Sequence, residues 1–326
     1  MKLLLSTDVH GSETCFRKFL NALKVYNVEV GILLGDLLGK MINPIVKQPD
    51  GTHICNFFGE KTCKTEEELR VLEKKIASTG NYYFYTTPEE MKKLEAEGKT
   101  VKGRIDERAA KIHLVKGKIE DLFQQLAAER MKNWIKLAEE RLGDSNIKMF
   151  MAPGNDDFLE IDEILDSSTY VVNADNKKVD VNGYEMISLS WSNPTPWDTP
   201  RECSEEELER KIDKLASQIE DMESAIFNFH VPPHGTVLDE APALSKDLVP
   251  SLGKTISAGS KAILNSIKKY QPLLGLHGHI HESRGVQKIG RTVCLNPGSE
   301  YTEGILRGVI IRLDKKKVKD YMFTSG

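Results

Sequence analysis

Seven side chains in this 326-residue sequence have the types and spacing to hold metal ions: Asp8, His10, Asp36, Asn155, His230, His279 and His281. The stretch Leu274-Gly-Leu-His-Gly-His-Ile-His281 sets three of the chain's eight histidines at alternate positions after a short apolar run, which reads as the edge of a metal site. Two carboxylates, one amide oxygen and four imidazoles make a donor set suited to Mn²⁺, Fe²⁺ or Zn²⁺. Only a carboxylate bridges two ions, and Asp36 is the candidate. Two ions roughly 3.5 to 4 Å apart polarise a phosphoryl group and lower the pKa of a shared water, so that hydroxide is available at neutral pH. The chemistry is hydrolysis without a protein nucleophile.

Each of these residues follows an apolar run of strand length. Lys2 to Thr7 precedes Asp8, Val28 to Leu34 precedes Gly35-Asp36, and Ile147 to Met151 leads to Pro153-Gly-Asn155. Ala225 to Phe229 delivers His230, and Leu273 to Leu276 delivers the histidine triplet, in which His277 reads as a core residue. Between the first two runs Ser12 caps a helix with Phe16, Phe19, Leu20 and Leu23 on one face. Strand, helix, strand opens a βαβ unit, and such units gather the residues past their strand ends at one edge of a sheet. Further strands are expected over 169–173 and 186–191, with an Asn182-Gly183 hairpin turn between them. Ser204 opens a helix carrying Leu208, Ile212, Leu215 and Ile219, and 231–259, with His234, reads as a long loop.

The alternation stops between residues 40 and 145. Pro44, Pro49, Asp50-Gly51 and Gly59 make 40–60 loop-like, and the charge-rich 64–145 reads as helical. Its longest periodic run, Arg104 to Leu142, repeats Ile105, Ile112, Ile119 and Leu126 every seven residues, but Lys116 and Arg130 break the seam. An amphipathic helix packed on the body is expected there. The organisation is one domain over 1–326 with a helical insertion at 40–145, a cap or partner arm suited to mediating oligomerisation.

With 40% hydrophobic and 29% charged residues the chain can bury a substantial core. A net charge of -4, from 45 basic and 49 acidic residues, leaves no footprint for a dedicated nucleic-acid binder, so a small phosphoester substrate is favoured. Five scattered cysteines without a C-x-x-C fit a reducing cytoplasm rather than a disulfide framework. The apolar start, Met1 to Thr7, is too short for a signal peptide, and no run is long enough to cross a membrane.

The ordered set Asp8-Val-His10, Gly35-Asp36, Gly154-Asn155, His230 and Gly278-His-Ile-His281 resembles the calcineurin-like metallophosphoesterase superfamily, as does the turn Asn296-Pro-Gly-Ser299. The resemblance covers 1–40 and 147–313. It implies an α/β fold of two packed mixed β-sheets flanked by helices, a four-layer sandwich with the site at the loops after the strands. It also implies that Asp8, His10 and His281 hold one metal, that Asn155, His230 and His279 hold a second, and that Asp36 holds both. Mn²⁺ is the first choice of ion, with Fe, Zn and Ni as alternatives. The implied activity is phosphoester hydrolysis by a metal-bridging hydroxide, with Asn155 stabilising phosphoryl charge. One position departs from the family pattern: the histidine that usually follows the metal-binding asparagine is Asp156, a poor proton donor beside two dications. His234 is the candidate substitute acid. The missing acid favours phosphodiesters over alkyl monoesters. The competing readings are a metal-binding scaffold without turnover and a nuclease.

Overall fold

The computed structural model describes residues 1–96, 118–245 and 249–326. In chain order, β1 (Lys2–Thr7), α1 (Glu13–Val25) and β2 (Val30–Leu34) form the opening unit. Then come β3 (Ile42–Lys47), β4 (His53–Asn56), β5 (Glu60–Cys63), α2 (Glu66–Ser78), β6 (Tyr82–Thr86), α3 (Pro88–Ala96) and α4 (Lys118–Leu142). The chain continues through β7 (Lys148–Ala152), α5 (Ile161–Asp166), β8 (Val171–Asn173), β9 (Lys178–Val181), β10 (Tyr184–Leu189), α6 (Glu205–Ala216) and β11 (Ile226–Phe229). It ends with β12 (Glu240–Leu244), β13 (Pro250–Ser257), α7 (Lys261–Tyr270), β14 (Leu274–Leu276), β15 (Gly285–Ile289), β16 (Thr292–Asn296), β17 (Arg307–Asp314) and β18 (Lys317–Ser325).

Two six-stranded mixed sheets dominate, in the orders β18-β17-β1-β2-β7-β8 and β15-β16-β14-β11-β10-β9. Each has a parallel centre, β1, β2, β7, β8 in one and β10, β11, β14, β16 in the other, with antiparallel strands at the flanks. The side-chain period of two divides each central strand between two cores. Leu3, Leu5, Ile32 and Leu34 meet Met186, Ile226, Leu274 and Leu295 between the sheets. Leu4, Leu33 and Met151 face outward onto α1 and α4, while Phe227, Phe229 and Leu189 face α6 and α7. Burial on both faces explains why these strands read as continuous apolar runs. The result is the expected sandwich of two sheets between helical layers.

The segment 40–145 differs from the helical expectation. Its first half is a four-stranded sheet, β5-β4-β3-β6, closed by α2 over a small core of Ile45, Cys55, Phe57, Cys63, Leu69, Leu72 and Ile76. Pro44 lies inside β3 because pairing with β4 begins only at Val46, so no ladder bond to β4 needs its missing N–H. Asp50-Gly51 is a hairpin turn, and Tyr82-Tyr-Phe-Tyr85 forms β6, an aromatic run with strand propensity. In α4 the buried stripe is Phe123, Ala127, Met131, Trp134, Ala138 and Leu142, at helical spacing. Residues 104–117 of the seven-residue repeat lie outside the described residues. Trp134 stacks on Phe16 of α1 with centroids 4.2 Å apart and rings 2° from parallel, so α4 packs on the body as an amphipathic helix. The expected 231–259 loop carries the two-stranded β12–β13 hairpin. All five cysteines are free thiols. Among the described residues no helix is long and apolar enough to cross a membrane.

Candidate metal centre

Both sheets end their parallel strands at the same place. β1 leads to Asp8 and His10, β2 to Asp36 and β7 to Asn155; from the second sheet β11 leads to His230 and β14 to His279 and His281. One sheet supplies all the oxygen donors, the other only imidazoles. Asp8, His10, Asp36 and His281 form one group whose ligand atoms lie within 4.8 Å of one another; Asp36, His230 and His279 form a second. Asp36 belongs to both. Across the site His10 Nε2 is 3.1 Å from His281 Nε2 and 3.5 Å from Asp36 Oδ2, and His230 Nε2 is 3.4 Å from Asp36 Oδ1 and 3.0 Å from Asn155 Oδ1. All seven sequence-selected ligands therefore converge. Donor atoms this close, with imidazole nitrogens facing each other and carboxylates, fit divalent cations.

The backbone is forced to make this approach. Asp8, His10, Asp36 and His279 have φ of 52°, 41°, 44° and 66°, left-handed values that cost a non-glycine residue on the order of 1–3 kcal/mol each. Hydrogen bonds hold them there: His10 N–H to Asp36 O at 2.8 Å, Gly11 N–H to Leu37 O at 2.8 Å, and His279 N–H to both Asp8 oxygens at 3.1 Å. The glycines preceding two ligands are steric requirements. A Cβ on Gly35 would fall 1.8 Å from His230 Nδ1, and one on Gly154 would fall 2.2 Å from Asp36 Oδ1.

The Asn296-Pro-Gly-Ser299 turn also has a physical role. Asn296 Nδ2 donates to the carbonyls of Gly278 (3.2 Å) and Ile280 (3.0 Å), and Ser299 Oγ donates to Asp8 O at 2.7 Å, tying the histidine loop to the first ligand loop. Buried His277 donates from Nδ1 to Phe229 O (2.9 Å) and Val231 O (3.1 Å), pinning neighbouring strand ends as a core residue.

Charge at Asp8, Asp36, His10 and His279 is distributed as metal binding requires, and His230 is the exception, carrying a proton that a metal ion would displace. Burial works to raise both carboxyls, but His281 and His230 outweigh it at Asp8 and hold it at about 2, and His230 and His10 hold Asp36 well below the ordinary carboxylate value. Burial, with Lys40 and His281, drives His10 well down, and burial with the charge of His230 takes His279 to about 4, so both imidazoles are neutral. Burial opposes protonation of His230 too, but Asp36 and Asp8 prevail and raise it to about 9. Ionised carboxylates and neutral imidazoles are the ligand-competent forms.

The three positions expected to act on substrate are placed differently. Asn155 Nδ2 donates to Thr199 Oγ1 at 2.9 Å, which fixes the amide with its oxygen toward His230. Asp156 donates its N–H to Asp36 Oδ1 at 3.1 Å, while its carboxylate is 2.7 Å from Lys40 Nζ. His234 lies against Gly259 O (3.3 Å) and Asp239 Oδ2 (3.6 Å), outside both donor groups. Sequence reasoning missed Lys40 and Thr199. Lys40 lies four residues past Asp36 on the same motif loop, which was its only sequence signal; Thr199 sits in a proline-rich loop distant along the chain. Buried Asp157 accepts from the N–H groups of Leu37, Leu38 and Gly154 at 2.8–2.9 Å, joining the asparagine loop to the Asp36 loop.

No family model matches the sequence. The chain is 33% identical over 164 residues to uncharacterized protein MJ1162 of Methanocaldococcus jannaschii, an alignment spanning 50% of this chain and 67% of that protein. Among solved structures, one crystal structure superposes at a TM-score of 0.57 with 15% identity, covering 99% of this chain and 98% of the other. The protein TT1561 of Thermus thermophilus superposes at 0.50 with 13% identity, covering 100% and 97%. Yfce, a phosphoesterase from E. coli, superposes at 0.34 with 12% identity, covering 99% and 98%. At 33% identity over 67% of that protein, the chain belongs to one family with MJ1162, and it shares its fold with the first two of these solved structures.

Proposed function

We propose that this chain is a metal-dependent phosphoester hydrolase that acts on phosphodiesters with two divalent cations, Mn²⁺ first among them. The observation that carries this reading is Asp36, the carboxylate common to both donor groups. Asp8, His10 and His281 would hold one ion with it, and Asn155, His230 and His279 the other. Ions bound there supply Lewis acidity and an activated water at neutral pH. The protein's own contribution is orientation: Thr199 fixes the Asn155 amide beside the site, where it can meet phosphoryl charge. Burial of Asp8, His10, Asp36 and His230 keeps competing water from the ligand atoms.

Two features support a preference for diesters. Asp156 stands where a proton-donating histidine is usual; burial raises its carboxyl instead of depressing it, but the carboxylate is taken up by the Lys40 ammonium and is not free to protonate an alkoxide leaving group. Beside His281 a cavity of about 280 Å³, lined by Arg284, Ser299, Thr302 and Arg307 among others, has room for a second esterified group.

The test is hydrolysis of bis-p-nitrophenyl phosphate and p-nitrophenyl phosphate by metal-stripped protein, with and without Mn²⁺. Mn²⁺ is expected to restore diester cleavage, the monoester to react more slowly, and Asp36→Asn to lose about a thousandfold or more of the activity. A protein that binds Mn²⁺ and cleaves neither compound is a scaffold, and the hydrolase reading is then wrong.

A further inference from the structure

The loop before α6 is bolted to the asparagine loop by its backbone and by a buried side chain. Arg201 N–H donates to Asn155 O at 3.2 Å, and the buried Arg201 guanidinium donates to Asp157 O (2.9 Å) and Phe158 O (3.0 Å). The next residue, Glu202, turns its carboxylate back into its own loop. Oε1 accepts from Thr195 Oγ1 (2.5 Å), Thr199 N–H (2.9 Å) and Thr199 Oγ1 (2.6 Å), and Oε2 accepts from Thr195 N–H (2.9 Å). Burial works to raise this carboxyl, but the bonds from Thr195 and Thr199 outweigh it and hold it below the ordinary value. Glu202 is therefore an ionised acceptor with no proton of its own to offer.

That fixes the direction of a chain of hydrogen bonds. A hydroxyl has one proton to donate. Thr199 gives its proton to Glu202, so toward Asn155 it presents only a lone pair, and it accepts from Asn155 Nδ2 at 2.9 Å. The two ends of an amide have nearly the same shape, and the surrounding hydrogen bonds decide which end faces which way. Here the NH₂ end is claimed by Thr199, and the oxygen lies 3.0 Å from His230 Nε2. Were the Thr199 proton free to turn toward Asn155, the reversed amide would also be bonded, and it would aim N–H donors into the centre in place of a ligand oxygen. His230 does not make this choice in a loaded centre, because an imidazole nitrogen that coordinates an ion carries no proton for Asn155 Oδ1 to accept. The choice falls to Glu202.

We propose that Glu202 is a positioning residue of the metal centre: by orienting the Thr199 hydroxyl it holds the Asn155 oxygen toward the ion on the His230 and His279 side, and so sets the affinity for that ion and not for the one beside Asp8 and His10. This rests on the two-cation reading of the site, and counting bound ions tests that reading separately.

Mn²⁺ is titrated calorimetrically into metal-stripped full-length protein: wild type, Thr199→Val, Thr199→Ser, Glu202→Gln, Glu202→Asp and the double variant Thr199→Val with Glu202→Gln. Thr199→Val is expected to weaken one of two bound ions by about 10–100-fold and to leave the other within about twofold, and Thr199→Ser to keep both within about threefold of wild type. Glu202→Gln, whose NH₂ can donate to Thr199 and release its proton, should weaken the same ion about tenfold. In the double variant that ion should bind no more weakly than in Thr199→Val alone, since the glutamate acts through the hydroxyl. If Glu202→Gln does not fold, Glu202→Asp, whose carboxylate falls one methylene short, takes its place in the comparison. Both ions weakened alike, neither weakened, or a Glu202→Gln loss that adds in full to that of Thr199→Val would overturn the assignment and leave Glu202 as a brace of its own loop. If wild type binds a single ion, the two-cation reading fails; the assignment stands when Thr199→Val and Glu202→Gln weaken that ion and Thr199→Ser spares it, and falls otherwise. If wild type binds no Mn²⁺, both fall.

Discussion

The two packed sheets and the 40–145 segment meet the same loops by different means. The sheets deliver ligands through strand ends, and hydrogen bonds between ligand loops fix them: His10 to Asp36, Gly11 to Leu37, Gly278 to His230. The insertion reaches those loops with isolated side chains and one tight backbone contact. Tyr82 receives the Gly39 N–H, Arg130 donates to Gly11 O at 2.6 Å while lying over the Tyr82 ring, and Ser12 Oγ donates to Ser78 O at 2.6 Å. A Cβ on Gly39 would come within 1.8 Å of Gly80 O, so the two backbones are in van der Waals contact. The insertion is therefore a buttress on the Asp8–His10 and Asp36–Lys40 loops. An element need not supply a ligand to be part of a centre's geometry.

The strongest way to break that comparison is to detach the insertion. Trp134 is buried between α4 and Phe16, and its Nε1 donates to Glu13 Oε2 at 2.6 Å. Trp134→Ala is expected to cost about 3–5 kcal/mol in denaturant unfolding. Ile76→Ala, in the separate small core under α2, should cost about 2–5 kcal/mol. If the segment is a buttress, both variants lower one common transition; two separate transitions with diester cleavage intact would make it an independent appendage.

A smaller effect sharpens the other side. Burial drives His277 down to about 4, with His230 adding to it against the bonds to Phe229 and Val231. The unfolded chain binds more protons than the folded one between pH 4 and about 6.5, so this histidine's stability contribution is full above that window and is lost as pH falls through it. Metal-free protein should lose about 3 kcal/mol over that fall from this residue, and His277→Asn should flatten the slope. An unchanged slope in His277→Asn would show that the sheet junction is not where acid acts.

The sequence made the sheets legible because strands buried on both faces leave unbroken apolar runs, and each ended in a residue with metal chemistry. The convergence of the seven candidate ligands was legible for the same reason, and their glycines are explained by contacts as short as Gly35 to His230. Segment 42–86 was not legible: Pro44 sits in a strand where pairing with β4 has not begun, and the strand propensity of Tyr82 to Tyr85 was outweighed by surrounding charge. The broken heptad pointed to Leu126, which is only partly buried beside the fully buried stripe Phe123, Ala127, Met131 and Trp134 that packs on α1. Thr199 and Tyr82 carry no motif. Their roles exist only through partners brought together by the fold.

The finest test of the buttress is one oxygen atom. Tyr82 is buried, its ring meets Phe123 edge-on at 5.5 Å, and its hydroxyl accepts the Gly39 N–H. Tyr82→Phe keeps the ring and its packing but leaves that buried N–H without its acceptor, at a cost of about 1–3 kcal/mol. Gly39 lies between the Leu37 and Leu38 groups held by Asp157 and the lysine held by Asp156, so the loss falls where the ligand loop passes into Lys40. Mn²⁺ content should therefore stay near wild type, since Asp36 remains fixed by its own loop, while diester cleavage falls several-fold. A variant that loses stability but keeps its diester cleavage would confine the insertion to a packing role; one that loses Mn²⁺ as well would carry its influence to Asp36.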